Sequence, residues 1–180
     1  YAFKDCKKLT AVTADEANEI GKYAFEGSAI KSVDFACATI VGERAFANTS
    51  SLVSASLGGV TEMGEYLFAS SAVKNVTFGA GTTLVSDYAF YNLGNLENVT
   101  LPNGVETIGA FAFSGDRKLS AINLNGTKTV GEYAFLNATS LKNVDLSTVA
   151  KFGNGAMSYT AIAKADLANA EYVGDFAFMD

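Results

Sequence analysis

The pair Ala-Phe returns along this chain at a nearly constant interval. Its phenylalanines are Phe3, Phe25, Phe46, Phe90, Phe113, Phe135 and Phe178; Phe68 follows Leu67, and Met157 takes the same place after Ala156. Successive anchors lie 21 to 23 residues apart through a chain of 180 residues. A fixed period of this length marks a solenoid, in which one coil cannot bury its apolar side alone and stacking the coils makes the core. Two further signatures keep the same period. An apolar residue followed by Gly precedes each anchor, as in Ile20-Gly21, Val41-Gly42, Met63-Gly64, Ile108-Gly109, Val130-Gly131, Phe152-Gly153 and Val173-Gly174, with Val85-Ser86 the one departure. An apolar-x-x-apolar-x-apolar run follows the anchor, as in Val73/Val76/Phe78, Leu96/Val99/Leu101 and Leu141/Val144/Leu146.

Each signature has a physical reading. The last two apolar residues of the run are spaced by two, so both face inward from a short strand. Such strands, stacked in parallel one per coil, pair their backbone groups and close a continuous core. The Gly predicts a corner that needs either unusual dihedrals or close backbone approach. Glu-x-Ala-Phe predicts one helical turn, with its acid near the positive N-terminal end. The expected fold is therefore an α/β repeat solenoid over residues 1–180, about eight repeats of ~22 residues, with a parallel strand ladder and short helical turns.

The pattern resembles the BspA-like, or Treponema-type, leucine-rich repeats. Leu96 to Phe113 (LENVTLPNGVETIGAFAF) follows that repeat almost throughout and contains the only proline, Pro102; Tyr1 to Val12 (YAFKDCKKLTAV) keeps the family cysteine at Cys6. Elsewhere the cysteine position holds Ser28, Thr49, Ser71, Leu93, Asp116, Ala138 and Thr160, and the repeat is irregular at Gly155-Ala156-Met157. The resemblance implies a right-handed leucine-rich-repeat superhelix. It further implies a surface-exposed or secreted protein used in adhesion and protein binding.

Composition narrows the function classes. There is no His, so no histidine base and no imidazole metal ligand. A net charge of −6 argues against nucleic acid as the main partner. No apolar run is long enough to cross a bilayer as a helix, so no direct membrane insertion is expected. Leu57-Gly58-Gly59-Val60 and Phe78-Gly79-Ala80-Gly81 lack the Lys-Ser/Thr of a phosphate loop and read as corners. No enzyme activity, cofactor or metal is expected. Cys6 and Cys37 fall at different corners and are expected as two free thiols, both at least partly buried.

Three columns remain as surface candidates. The outward strand positions, from Ser32/Asp34 and Ser54/Ser56 to Asn75/Thr77, Asn98/Thr100 and Asn143/Asp145, hold no aromatic residue and no Arg. They read as a solvated ladder of small polar side chains, since protein hot spots favour Trp, Tyr and Arg. Glu43, Glu65, Asp87, Glu132 and Asp175 form an acidic column that reads as a solvated edge, not a calcium site. The position before each Ala-Phe is mostly aromatic. Tyr23, Tyr66, Tyr88, Phe111, Tyr133 and Phe176 are the candidate binding face, although ordinary flank packing with phenol tips in water accounts for the same pattern. Asn48, Asn75, Asn98, Asn125 and Asn137 stand in Asn-x-Ser/Thr sequons, which matter only in a secreted eukaryotic protein.

The chain starts and stops at anchors, without an atypical capping repeat. That predicts either a segment of a longer chain or coils that stack end to end. The expected partner is a protein: a host or matrix component, or neighbouring copies of this chain. Two functions follow, an extracellular adhesion module and a structural subunit that assembles head to tail into a filament.

Overall fold

The computed structural model describes residues 1–180. Twelve short strands mark the coils. The first six are β1 (Glu19–Ile20), β2 (Ser32–Asp34), β3 (Ile40–Val41), β4 (Ser54–Leu57), β5 (Glu62–Met63) and β6 (Asn75–Phe78). The remainder are β7 (Leu84–Val85), β8 (Asn98–Thr100), β9 (Thr107–Ile108), β10 (Thr129–Val130), β11 (Lys151–Phe152) and β12 (Tyr172–Val173).

The longer strands stack in parallel in the order β2-β4-β6-β8. Their register sets each residue on its counterpart one coil away, Ser54 on Asn75 and Asn75 on Asn98. The Ala121–Asn143 bridge continues this side. Alternation gives the burial expected of it: Asn75 and Thr77 are exposed while Val76 and Phe78 are buried. A second side carries the two-residue strands, as β1-β3-β5 and as β7-β9-β10-β11-β12. Only 14 of 102 backbone hydrogen bonds lie within strands, so turns and corners hold most of the backbone pairing.

The core is a file of rings. Phe25, Phe46, Phe68, Phe90, Phe113 and Phe135 are all buried. Neighbouring centroids are 5.7, 5.4, 5.5, 4.8 and 5.1 Å apart along the file. The Ala before each ring leaves room for the next coil; Ala45, Ala89, Ala112 and Ala134 are fully buried.

The third side corrects one expectation. No helical turn forms at Glu-x-Ala-Phe. Alternate N–H groups there serve two different acceptors. Tyr23 and Phe25 donate to Glu43 O and Ala45 O of the next coil at 2.8 and 2.9 Å, while Ala24 and Glu26 donate to Gly21 O and Tyr23 O at 3.2 Å. A helical turn would aim all of these N–H groups along its own axis and leave the Glu43 and Ala45 carbonyls of the neighbouring coil unpaired. The alternation requires left-handed backbone before each Ala-Phe: φ is 58° at Tyr23, 54° at Arg44, 57° at Tyr66, 58° at Tyr88, 54° at Phe111 and 52° at Tyr133. Each such residue costs about 1–2 kcal/mol, offset by the coil-to-coil bonds.

The glycine expectation resolves to close approach. A Cβ at Gly64 would lie 2.2 Å from Glu43 N, and one at Gly42 2.6 Å from Lys22 N; neither glycine has positive φ. Gly42, Gly64 and Gly109 each donate N–H to the previous coil at 2.8, 2.7 and 2.7 Å. Ser86, directly after β7, stands at this position, and β7 does not pair with β5 but belongs to a separate sheet. There the Ser86 hydroxyl takes the Met63 carbonyl.

Both thiols are free, but only Cys6 is half-buried. Cys37 is exposed, contrary to expectation, because Phe35 fills the interior and the chain then turns outward.

Candidate functional site

The column before Ala-Phe forms a second ring file outside the first. Tyr66 stacks on Tyr88 at 4.4 Å, Tyr88 on Phe111 at 5.0 Å, and Phe111 on Tyr133 at 5.0 Å. At its other end Tyr1 stacks on Tyr23 at 4.8 Å. Tyr23, Tyr66, Tyr88, Phe111 and Tyr133 are half-buried, and Phe176 is exposed. The left-handed backbone aims every side chain the same way, so ring faces cover one another and ring edges face solvent. Four of the six candidate residues, Tyr66, Tyr88, Phe111 and Tyr133, thus form one continuous ring stack; Tyr23 lies across Arg44 from it and Phe176 across Gly155. Phe176 lies past Gly155, and the Tyr133 ring fills the space a Cβ at Gly155 would need.

Arg44 keeps the file going by charge. Its guanidinium lies 6.0 Å from the Tyr23 ring centre and 5.5 Å from that of Tyr66. Its Nε donates to Glu26 Oε1 at 3.1 Å, which also accepts from Asn48 Nδ2 at 3.3 Å. Lys4 Nζ lies 2.6 Å from Glu26 Oε2 and 5.2 Å from the Tyr23 ring centre. Burial pushes the Glu26 carboxyl up, but hydrogen bonds and charge from Lys4 and Arg44 outweigh it and hold the carboxyl below its usual range. The Glu26 hydrogen bond in turn raises Lys4. Sequence reading missed this cluster because its members are eighteen to twenty-two residues apart. Only the coil register shows that they meet.

The acids do not sit on helix ends. Glu43 Oε1 accepts from the Tyr23 hydroxyl at 2.8 Å, and that bond raises the phenol. Asp87 Oδ1 accepts from Ala110 N–H of the next coil at 2.7 Å. Burial followed by the neighbouring Tyr88 raises Tyr66. On the strand face, Asn98 Nδ2 donates to Asn75 Oδ1 at 2.8 Å, a rung of the polar ladder.

The cysteine-equivalent column is mostly buried and mixed, polar at Ser28, Thr49, Ser71 and Asp116 and apolar at Leu93 and Ala138. Thr49 Oγ1 donates to Phe46 O at 2.7 Å. Asp116 is fully buried; its Oδ1 accepts from Leu93 N–H at 2.8 Å and its Oδ2 has no partner. Burial pushes this carboxyl well above the ordinary range, only partly countered by the Leu93 bond. A folded value above the unfolded one adds stability below the unfolded carboxyl pKa of about 3.9, and that stability is lost as pH rises toward the folded value. Asp116→Asn retains an acceptor for Leu93 N–H and removes the titration. Urea midpoints measured across pH should show wild type losing ground to Asp116→Asn as pH rises. A gap that does not vary with pH would mean that Asp116 has an ordinary pKa.

The family model described as BspA type leucine rich repeat region matches in six copies, over residues 1–93 and 61–180. A search of the curated proteins finds no match. Among solved structures, a leucine-rich repeat protein from Bacteroides ovatus superposes with a TM-score of 0.82 at 29% identity, over 90% of this chain and 44% of its own. A second, from Eubacterium ventriosum, gives 0.72 at 23% identity over 89% and 48%. A leucine rich cell surface protein from Faecalibacterium prausnitzii gives 0.55 at 18% identity over 94% and 54%. The chain spans about half the length of these structures. Repeats of this type are typically non-enzymatic scaffolds that mediate protein interaction. With the family model matched over residues 1–93 and 61–180, and with the repeat period and parallel coils of its fold, the chain belongs to the BspA-type leucine-rich repeat family.

Proposed function

We propose that this solenoid is a non-enzymatic protein-binding module displayed at the cell surface or secreted, and used in adhesion. The observation that carries the reading is the outer ring file. Tyr66, Tyr88, Phe111 and Tyr133 present a preorganised row of aromatic edges, ordered before any partner arrives. Rigid Tyr side chains give large contact at small entropy cost, which is why they are common at interface centres. Phe176 and Tyr23 extend the same face. Family membership supports the extracellular location. The competing reading, head-to-tail assembly, makes a different demand: purified protein must form long filaments.

The test replaces rings without disturbing the backbone. Asn tolerates the left-handed conformation held at these positions. Tyr66→Asn/Tyr88→Asn should therefore fold, and should bind an immobilised extracellular-matrix preparation at least ~10-fold more weakly than wild type, about 1.4 kcal/mol. Antibody labelling of intact source cells checks the location. Undiminished binding by the double variant would remove the ring file from the interface. Filaments in electron micrographs, without matrix binding, would favour assembly.

A further inference from the structure

Beside the ring file, the two-residue strands leave an open groove of about 590 Å³ where β5 and β7 part. Its floor is apolar. Ile40 and Leu84 are 36% and 45% exposed, and Met63, in register with Val41, is half-buried beside them. Its rim is acidic. Glu62 stands between Ile40 and Leu84 on the outward file of β3, β5 and β7, and Glu65 and Asp87 line the edge next to the rings. No Lys or Arg pairs with any of these three acids. The single lysine in the groove, Lys22, is 3.5 Å from the fourth acid, Glu43, which also holds the Tyr23 hydroxyl.

Two independent features coincide here. One is positional: Ser86 replaces the ladder glycine, and the strand pairing opens at that coil. The other is chemical: exposed apolar side chains alternate along the file with acids that have no cation of their own. A solvated edge explains the acids but not the apolar floor between them. Core packing explains Met63 but not the exposure of Ile40 and Leu84.

We propose that this groove binds a basic segment of a partner protein, in which Lys or Arg side chains meet Glu62, Glu65 and Asp87 while an apolar side chain sits on Leu84 and Ile40. The assignment deepens the protein-binding reading and rests on it. Charge complementarity selects the segment, and the apolar floor distinguishes it from a bare polycation. Ile40, Glu62 and Leu84 are the outward side chains of their strands, so the recognition proposed is by side chains.

Fluorescence anisotropy of a labelled short peptide alternating Lys with Leu tests it. Binding should exceed that of a matched Glu/Leu peptide and of a Lys/Gly peptide. Glu62→Gln/Glu65→Gln should weaken it about tenfold, the worth of two exposed charge contacts. Leu84→Ser, which leaves the charge unchanged, should weaken it several-fold. Glu97→Gln/Glu171→Gln changes net charge equally elsewhere and should do nothing. The proposal is overturned if the remote pair weakens binding as much, if Leu84→Ser is silent, or if the Lys/Gly peptide binds equally well. Those failures would leave the matrix binding of the ring file untouched, so the two readings fall separately.

Discussion

Phe90→Ala is expected to destabilise the protein by about 3–5 kcal/mol, the cost of emptying a fully buried aromatic site. Phe90 has no exposed surface and lies between Phe68 at 5.5 Å and Phe113 at 4.8 Å, with Phe78 edge-on at 6.1 Å. The loss therefore combines buried area with ring contacts on three sides, each pair contributing ~0.5–1.5 kcal/mol beyond its area. A solenoid has no distant core to share the damage, because each coil touches only its neighbours. The urea midpoint should fall sharply. Tyr88→Asn, in the outer file two residues earlier, should cost distinctly less, since its ring is half-exposed and Asn accepts its backbone. Equal losses from the two variants would show that the inner file is not what holds the coils together.

A methyl group at Gly64 should cost about 3 kcal/mol, through overpacking and not through lost contacts. The added Cβ would stand 2.2 Å from Glu43 N, 2.4 Å from Gly42 C and 2.6 Å from Glu43 Cα. All three are backbone atoms, so only separation of the coils relieves the clash. That separation would also stretch the Gly64 bond to Val41 O, now 2.7 Å. Gly58→Ala is the control. Gly58 lies in an interior coil at the end of β4, without positive φ and with nothing within 4 Å of an added Cβ. It should be neutral or stabilise by ~0.4–1 kcal/mol, by restricting the unfolded chain. Thermal melts of the two variants should move apart. Similar Tm values would mean that the spacing between coils yields freely. At Ser86, where the chain does carry a side chain, β5 and β7 do not pair and the hydroxyl bonds Met63 O instead.

The lessons for sequence reading differ from residue to residue. The inward residues Val76, Phe78, Val99 and Leu101 were legible because a strand alternates with a period of two, whatever surrounds it. The ring columns were legible because one spacing recurs in every coil. The turn was misread because Glu-x-Ala-Phe suits a helix locally, and only the neighbouring coil competes for its N–H groups. A signal for the true conformation was present. Four residues after each ring position stand Gly27, Asn48, Ser70, Asn92, Gly115 and Asn137, all with positive φ. Gly and Asn are residue types that accept that region readily. The exposure of Cys37 and the meeting of Lys4, Glu26 and Arg44 carried no such signal.

Sequence alone thus determined the period, the inward and outward faces, and the family. These depend on spacing, and spacing survives any choice of local backbone. Tertiary structure alone decided the left-handed alternation, the opening at Ser86, the buried Asp116 carboxyl and the groove beside the rings. Each of these follows from what lies one coil away, about 4.8 Å across the stack. Along the chain the same neighbour is more than twenty residues distant, beyond the reach of any local rule.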